Sequence, residues 1–229
     1  MNEPNIALES HPFLLVSDNH ADARILEAIE RHAKSIRYRC FLGDAMGGDN
    51  PNDTLARLEG YDVCIAGNHD TLTLGRNDED QFAEGAVIDT RVNREEIRGD
   101  GMAVLEQFVQ SFSRDGFLLF HGTPDDENAF FLNETDIRPL LASQTEYQVL
   151  IGGHMHLPRL AIYNIKSGEL SFKEIRMPFS HFVLDTSENR YLVNVPSAIP
   201  GRLGFDKPGY STISPTLNPN EYNLIFAFL

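Results

Sequence analysis

Residues 12–36 have the sequence PFLLVSDNHADARILEAIERHAKSI, and this stretch decides the fold class of the 229-residue chain. It begins with a short apolar run, PFLLVSD, which is typical of a buried strand. Apolar residues then recur at helical spacing, at Ile25, Leu26, Ile29 and Ala33. The stretch therefore predicts a strand, a loop and a helix, which is the repeating unit of a parallel α/β sheet.

The same order of elements continues along the chain. YRCFLGD at 38–44 and YDVCIAGN at 61–68 are two more apolar runs. Between them, PNDTLARLEG at 51–60 has a proline at its start and a glycine at its end, as a short helix does. These segments predict a β-α-β-α-β unit with parallel strands. Cys40 and Cys64 lie inside the apolar runs, so we expect buried, reduced thiols and no disulfide.

The middle of the chain adds two helices and two strands to this prediction. MAVLEQFVQSF at 102–112 and DIRPLLAS at 136–143 are predicted helices. GFLLFHG at 116–122 and YQVLIGG at 147–153 are predicted strands. The polar stretch 71–101 is longer than an ordinary loop, and long loops beside an active site are often lids, so a lid is left open here. Its Arg76 and Arg91 could then meet phosphate, although a surface role is preferred for them.

The C-terminal part has an antiparallel pattern. RLAIYNIKSGELSFKEIRM at 159–177 and HFVLDTSENRYLVNV at 181–195 each place a polar turn between two alternating runs, which predicts two hairpins. YNLIFAFL at 222–229 is a further predicted strand. Nothing marks a linker, so residues 1–229 are predicted to form a single domain.

The composition disfavours several classes of partner. Lys and Arg number 19 against 34 Asp and Glu, which gives a formal net charge of −15. Such a charge repels nucleic-acid backbones and anionic membranes. The N-terminus, MNEPNIALES, lacks the apolar core of a signal peptide, and no apolar run approaches the roughly 18 residues of a membrane span. We therefore expect a cytoplasmic protein without a polymeric nucleic acid or a membrane as partner, and its oligomeric state is left open.

Polar side chains that bind metals or protons follow five of the predicted strands, at the point where each strand ends. They are Asp18 and His20, then Asp44, then Asn68, His69 and Asp70, then His121, and finally His154 and His156. The carboxyl ends of strands in an α/β sheet share one edge, where ligands and chemistry collect. We therefore expect these residues to meet in one site.

The types of these residues select the chemistry. Imidazole, carboxylate and amide groups without a thiolate suit Mn, Fe, Zn or Co better than a structural zinc site or a calcium cage. They are too many for one tetrahedral ion with an open position, and they fit two ions that share a bridging carboxylate. Two ions about 3.5–4 Å apart can polarise a phosphoryl group, deprotonate a water and clamp an in-line displacement.

The blocks SDNH, LGD, AGNHD, FHG and GGHMH resemble, in this order, the D-x-H, G-D, G-N-H-D, H and G-H-x-H blocks of the calcineurin-like metallophosphoesterases. The segments LGDAMGGDNPNDTLARL, HGTPDDENAFFL and VNVPSAIPGR are similar to those of the compact bacterial and archaeal phosphodiesterase branch. The resemblance implies an α/β fold, a sandwich of two mixed β-sheets flanked by α-helices. This agrees with the parallel and antiparallel parts predicted above.

The resemblance also implies roles for the individual residues. One metal ion would be held by Asp18, His20 and His156, the second by Asn68, His121 and His154, and Asp44 would bridge them. The two divalent transition-metal ions would be Mn first, with Fe, Zn, Ni or Co as alternatives.

His69 is left without a metal in this scheme, which suits a general acid that protonates the leaving oxygen, oriented or tuned by Asp70. Asn68 and His69 would also contact the substrate. The nucleophile would be a metal-bound hydroxide.

Departures from other branches narrow the expected activity. Protein Ser/Thr phosphatases carry G-D-x-V-D-R-G and G-N-H-E blocks, whereas here AMGGDN follows Asp44 and Asp70 follows His69. This favours a metal-dependent hydrolase of small phosphodiesters or nucleotides. A diadenosine polyphosphate hydrolase of the same fold is the alternative, and a non-catalytic protein-binding scaffold is less favoured. The role of Arg202 in phosphate contact stays open.

Overall fold

The computed structural model describes residues 10–131, 133–201 and 204–229, so Arg202 lies outside the described residues. The strands are β1 (Phe13–Val16), β2 (Tyr38–Leu42), β3 (Val63–Ile65), β4 (Ser111–Arg114), β5 (Phe117–Phe120), β6 (Val149–Gly152), β7 (Arg159–Asn164), β8 (Leu170–Lys173), β9 (Phe179–Asp185), β10 (Asn189–Asn194), β11 (Gly209–Pro215) and β12 (Glu221–Phe228). The helices are α1 (Ala23–His32), α2 (Pro51–Leu58), α3 (Asn68–Thr73), α4 (Glu84–Glu96), α5 (Gly101–Glu106) and α6 (Glu134–Ser143), with a 3₁₀ turn at Glu79–Gln81.

The first sheet has the strand order β3-β2-β1-β11-β12-β9. Its strands β1, β2 and β3 are parallel, as the β-α-β-α-β pattern predicts. The strands β11, β12 and β9 are antiparallel to their neighbours. Helix α1 begins where the Asp22 carboxylate accepts the backbone N–H groups of Arg24 and Ile25, and α2 begins at Pro51. The sheet is therefore mixed, with its parallel half supplied by the N-terminal residues.

The second sheet has the order β4-β5-β6-β10-β7-β8. Strand β6 runs parallel to both β5 and β10, and the other pairs are antiparallel. The predicted hairpin at 159–177 is confirmed as β7 paired with β8.

The two sheets and the helices on their outer faces form four layers, and apolar side chains pack between each pair of layers. Leu15 and Leu224 of the first sheet share one buried cluster with Phe117 and Val193 of the second. A second cluster packs α1, α2 and α5 on the outer face of the first sheet, and a third packs α6 on the outer face of the second. The predicted sandwich of two mixed sheets flanked by helices is confirmed.

The second predicted hairpin, 181–195, is wrong in its pairing. Both strands form, but β9 pairs with β12 in the first sheet and β10 pairs with β6 and β7 in the second. The polar turn between them therefore crosses from one sheet to the other. Alternation indicates which side chains face the core, and it does not indicate which strand lies alongside.

Two further predictions of secondary structure are corrected. The helix predicted over 102–112 ends at Glu106, and Ser111–Arg114 instead forms β4, an edge strand antiparallel to β5. The stretch 71–101, predicted as a long polar loop, contains the 13-residue helix α4. In that helix, Arg91 pairs with Glu79. No helix among the described residues combines the length and the apolar character needed to cross a bilayer.

Candidate metal centre and active site

The predicted site residues all follow the carboxyl ends of strands from both sheets. Asp18 and His20 follow β1, Asp44 follows β2, Asn68 and His69 follow β3, His121 follows β5, and His154 and His156 follow β6. The two sheets pack so that these loops face one another. The structure therefore brings the seven predicted metal ligands together.

One group of ligand atoms is formed by Asp18, His20, Asp44 and His156, whose ligand atoms lie within 4.8 Å of one another. The Nε2 atoms of His20 and His156 are 3.0 Å apart. His156 Nε2 also lies 3.4 Å from Asp18 Oδ1. Three nitrogen and oxygen donors thus converge on one point.

A second group is formed by Asp44, His121 and His154. His121 Nε2 lies 3.2 Å from His154 Nδ1 and 3.2 Å from the side-chain amide of Asn68. The Asn68 amide also faces Asp44 and His154. This group contains the ligands that the sequence assigns to the second ion.

Asp44 belongs to both groups. Its Oδ2 atom lies 3.9 Å from His20 Nε2 and 3.5 Å from His121 Nε2. Its other oxygen, Oδ1, accepts the backbone N–H of His69 at 3.0 Å. One carboxylate oxygen is therefore placed between the two groups of ligands.

The donor set fits two divalent cations. The carboxylates of Asp18 and Asp44 are buried, and among the described residues they contact imidazoles and backbone N–H groups rather than a Lys or Arg. Buried carboxylates need compensating charge. Oxygen and neutral imidazole donors without thiolate suit transition-metal ions, in agreement with the predicted ligand chemistry.

Burial and mutual charge set the protonation of the site. Burial alone would raise the pKa of Asp44, but the imidazoles of His121, His69 and His20 hold it well below its usual range. Burial lowers the pKa of His20 to about 4 and that of His154 to about 4. Burial opposes the charge of His121, but Asp44 and Asp18 raise its pKa to about 9. His20 and His154 are thus held neutral, the form that binds metals.

The backbone is left-handed at five of the seven predicted ligands. The φ angles are 56° at Asp18, 43° at His20, 59° at Asp44, 75° at His154 and 52° at His156. A non-glycine residue in this region costs of order 1–3 kcal/mol and persists only where the surroundings demand it. The sheet ends therefore hold these side chains in place at the expense of local backbone stability.

Asp70 connects two loops of the candidate site through backbone hydrogen bonds. Its buried carboxylate accepts the backbone N–H groups of Gly67 at 2.8 Å, Asp44 at 3.0 Å and Met46 at 3.0 Å. The His69 Nδ1 atom has no hydrogen-bond partner among the described residues. Asp70 thus ties the loop after β2 to the loop after β3 and does not bond to His69 Nδ1. That Asp70 orients or tunes His69 stays a prediction.

His69 lies beside the first group of ligands. Its ring centroid is 4.7 Å from that of His20, in an edge-to-face arrangement. The ring is partly buried, with Nδ1 enclosed. This position leaves Nε2 as the ring nitrogen available to a substrate.

The sequence did not point to two residues that contact the site. Asn93 of α4 is buried and bonds to the backbone of Gly47 and Gly48, in the loop after β2. Phe130, in the loop after β5, stacks on the His154 ring. An asparagine in a polar helix and a phenylalanine in a loop carry no local pattern that could have identified them.

Comparisons with known proteins agree with the geometry. The model of the calcineurin-like phosphoesterase superfamily domain matches residues 12–189. An uncharacterized protein of Methanocaldococcus jannaschii is 23% identical over 204 residues, which cover 86% of this chain and 79% of the relative.

Solved structures share the fold. A metallophosphoesterase from Sphaerobacter thermophilus superposes with a TM-score of 0.74 at 21% identity, covering 96% of this chain and 88% of that one. A chain named as a candidate diadenosine tetraphosphatase has a TM-score of 0.53 at 11% identity, covering 98% and 96%. At these identities the likeness shows the fold.

Proposed function

The chain belongs to the calcineurin-like phosphoesterase superfamily, and from this membership and the geometry of the site we propose that it is a dinuclear metal-dependent phosphoesterase. Its substrates would be small phosphodiesters or nucleotides, as the sequence motifs imply. The observation that carries the proposal is the Asp44 Oδ2 atom, which lies 3.9 Å from His20 Nε2 and 3.5 Å from His121 Nε2. A shared carboxylate oxygen of this kind is what two neighbouring cations require.

The ligands would divide as their contacts do. Asp18, His20 and His156 would hold one ion, and Asn68, His121 and His154 the other, with Asp44 common to both. Two divalent ions, Mn first with Fe, Zn, Ni or Co as alternatives, would polarise the phosphoryl group and lower the pKa of a coordinated water.

Protein side chains would supply the rest of the chemistry. His69 would donate a proton from Nε2 to the leaving oxygen, since its Nδ1 is enclosed. Asn68 and His69 would also contact the phosphoryl group. Asp70 would act indirectly, because it holds the backbone of Asp44 and Gly67.

The proposed substrate class is inferred from the net charge of the chain and from its sequence motifs, and not from the predicted metal ligands. A net charge of −15 disfavours polymeric nucleic acids and anionic membranes. Dinucleotide polyphosphates are the alternative substrates. A scaffold without catalysis is disfavoured because every predicted ligand is present and in contact with the others.

The test is hydrolysis of an activated aryl phosphodiester by protein stripped of metal and reloaded with Mn. We expect the wild-type activity to need the added ion and to vanish with chelator. Among substitutions of the predicted ligands, Asp44→Ala should reduce activity most, and its metal content should fall below two ions per chain. Asp53→Ala, an exposed position on α2, is the matched control.

Unchanged metal stoichiometry in Asp44→Ala would contradict the shared carboxylate. The wild-type protein should also be tested on aryl esters, cyclic nucleotides and dinucleotide polyphosphates with each of the five ions. If it hydrolyses none of them, the proposal of an enzyme is overturned and a non-catalytic scaffold is favoured.

A further inference from the structure

Phe130 presents an aromatic ring at the edge of the candidate site. Its ring stacks on the ring of His154, with centroids 4.1 Å apart and planes inclined by 30°. The residue is nevertheless 40% exposed, while the adjacent Phe131 is buried in the cluster outside the second sheet. The stacking on His154 therefore leaves part of the Phe130 side chain open to solvent.

The loop that carries Phe130 is held by contacts on both sides. Arg159 Nη1 donates to the carbonyl oxygen of Phe131 at 2.7 Å. The Nδ2 atom of Asn77 lies 3.3 Å from Glu127 Oε1, which joins the loop to the segment after α3. These contacts connect the chain on both sides of Phe130 to neighbouring segments.

His154 does not need Phe130 to hold its position. Its backbone N–H donates to the Asp18 carboxylate at 3.1 Å, and its Nδ1 faces His121. An aromatic side chain that is partly exposed at the edge of a polar site can stack on a planar group of a ligand. The exposed part of the Phe130 ring is therefore suited to a planar group of the substrate.

We propose that Phe130 forms a stacking subsite for the nucleobase of a nucleoside esterified to the phosphate. This inference rests on the proposed phosphoesterase function and names its substrate class. Aromatic side chains bind bases through stacking with little dependence on sequence. Asp125, Asp126 and Glu127 in the same loop make a further phosphate unfavourable there. The subsite therefore favours a diester with one nucleoside over a dinucleotide polyphosphate.

The proposal predicts a preference that can be measured with two substrates of identical leaving group. Thymidine 5′-(p-nitrophenyl phosphate) carries a base, and methyl p-nitrophenyl phosphate does not. We expect the wild type to have the higher kcat/KM on the nucleoside ester, mainly through KM. Phe130→Leu, which keeps apolar bulk but removes the aromatic plane, should reduce this preference by roughly tenfold or more, and Phe130→Trp should retain it.

Phe179→Leu is the matched control, because Phe179 is exposed on β9, in the other sheet. It should leave the preference as in the wild type. A preference that persists in Phe130→Leu would overturn the proposal. Equal losses on both substrates with reduced metal content would also overturn it, because Phe130 would then only support His154.

Binding separates this proposal from the phosphoesterase function. Adenosine 5′-monophosphate and methyl β-ribofuranoside 5-phosphate, titrated into Mn-loaded protein by calorimetry, share the sugar and the phosphate, and only the first carries a base. Tighter binding of the nucleotide that is lost in Phe130→Leu supports the subsite even if neither ester is hydrolysed. Equal affinities in the wild type would overturn it, even if both esters are hydrolysed.

Discussion

Gly47 shows how closely single residues are fitted at the site. Its φ angle is +107°, and a Cβ atom there would lie 2.6 Å from His69 Nδ1 and 3.0 Å from His20 Nδ1. Both the backbone angle and the space thus require glycine. The backbone of Gly47 therefore lies close to the enclosed Nδ1 of His69.

Gly47→Ala is therefore expected to displace His69 and to slow turnover by about 10²-fold, the loss that a shift of roughly 1 Å can cause. Stability should also fall, because alanine is strained at this φ. Turnover and urea denaturation measure the two effects. Gly85→Ala in α4, where a Cβ meets nothing within 4 Å, should leave turnover unchanged, and near-normal turnover in Gly47→Ala would contradict the contact.

His69→Asn isolates the proposed general acid. Turnover should fall by about 10²–10⁴-fold on a ribose alkoxide leaving group and much less on a nitrophenolate, which leaves without a proton. Metal content by elemental analysis should stay near that of the wild type. His181→Asn, on an exposed histidine of β9, is the control. Equal losses on both substrates would assign His69 to charge stabilisation, and loss of metal would make it a ligand.

Helix α4 is the element that supports, from outside the sheets, the loops that carry the candidate ligands. Asn93 Oδ1 accepts the N–H groups of Gly47 at 2.7 Å and Gly48 at 3.4 Å, and its Nδ2 donates to the Gly48 carbonyl at 2.6 Å. Arg94 donates to the carbonyl oxygens of Leu72 and Thr73 in α3. Through these bonds one helix connects the loop after β2 to the helix that carries His69.

Asn93→Ala should lower the free energy of unfolding by about 1–3 kcal/mol, because it leaves the partly buried backbone groups of Gly47 and Gly48 without their side-chain partner. It should also lower kcat, since the Gly47 loop contacts His69. Denaturation and kcat are measured together. Arg91→Ala in the same helix removes only an exposed ion pair with Glu79 and serves as the control. Identical stability in Asn93→Ala and Arg91→Ala would contradict a supporting role for α4.

At the scale of the whole molecule, the site exists because two sheets pack with their strand ends together. The His154 N–H donates to the Asp18 carboxylate across 136 residues of sequence. The packed protein carries a formal net charge of −15, which acts on any polyanion approaching this edge. Small diesters carry far less charge than polymers and are repelled less.

Long DNA and RNA should therefore bind weakly and be cleaved much more slowly than small diesters. Fluorescence anisotropy at physiological salt measures binding, and the nucleoside aryl ester provides the reference rate. A dissociation constant for long DNA tighter than about 1 μM, the strong end of nonspecific binding, would contradict this expectation.

The sequence by itself determined the local structure of the N-terminal parallel strands and helices and the chemical types of the candidate ligands. Short apolar runs and helical spacing predict the β-α-β-α-β order, and both patterns depend only on residues that are near one another in the sequence. The candidate ligands were identified because each follows a strand, and strand ends are local features. Strand β11 was not identified, because GYSTISP lacks alternating apolar residues and forms only between β1 and β12.

Only the tertiary structure decided the contacts between distant segments. It placed β9 and β10 in different sheets. It paired the Asp70 carboxylate with the backbone of Gly67, Asp44 and Met46 rather than with the His69 ring. It also placed Asn93 and Phe130 beside the site. These outcomes depend on which surfaces pack together, because a buried hydrogen bond or a stacked ring is satisfied by whatever group lies opposite. Local residue patterns do not encode that partner.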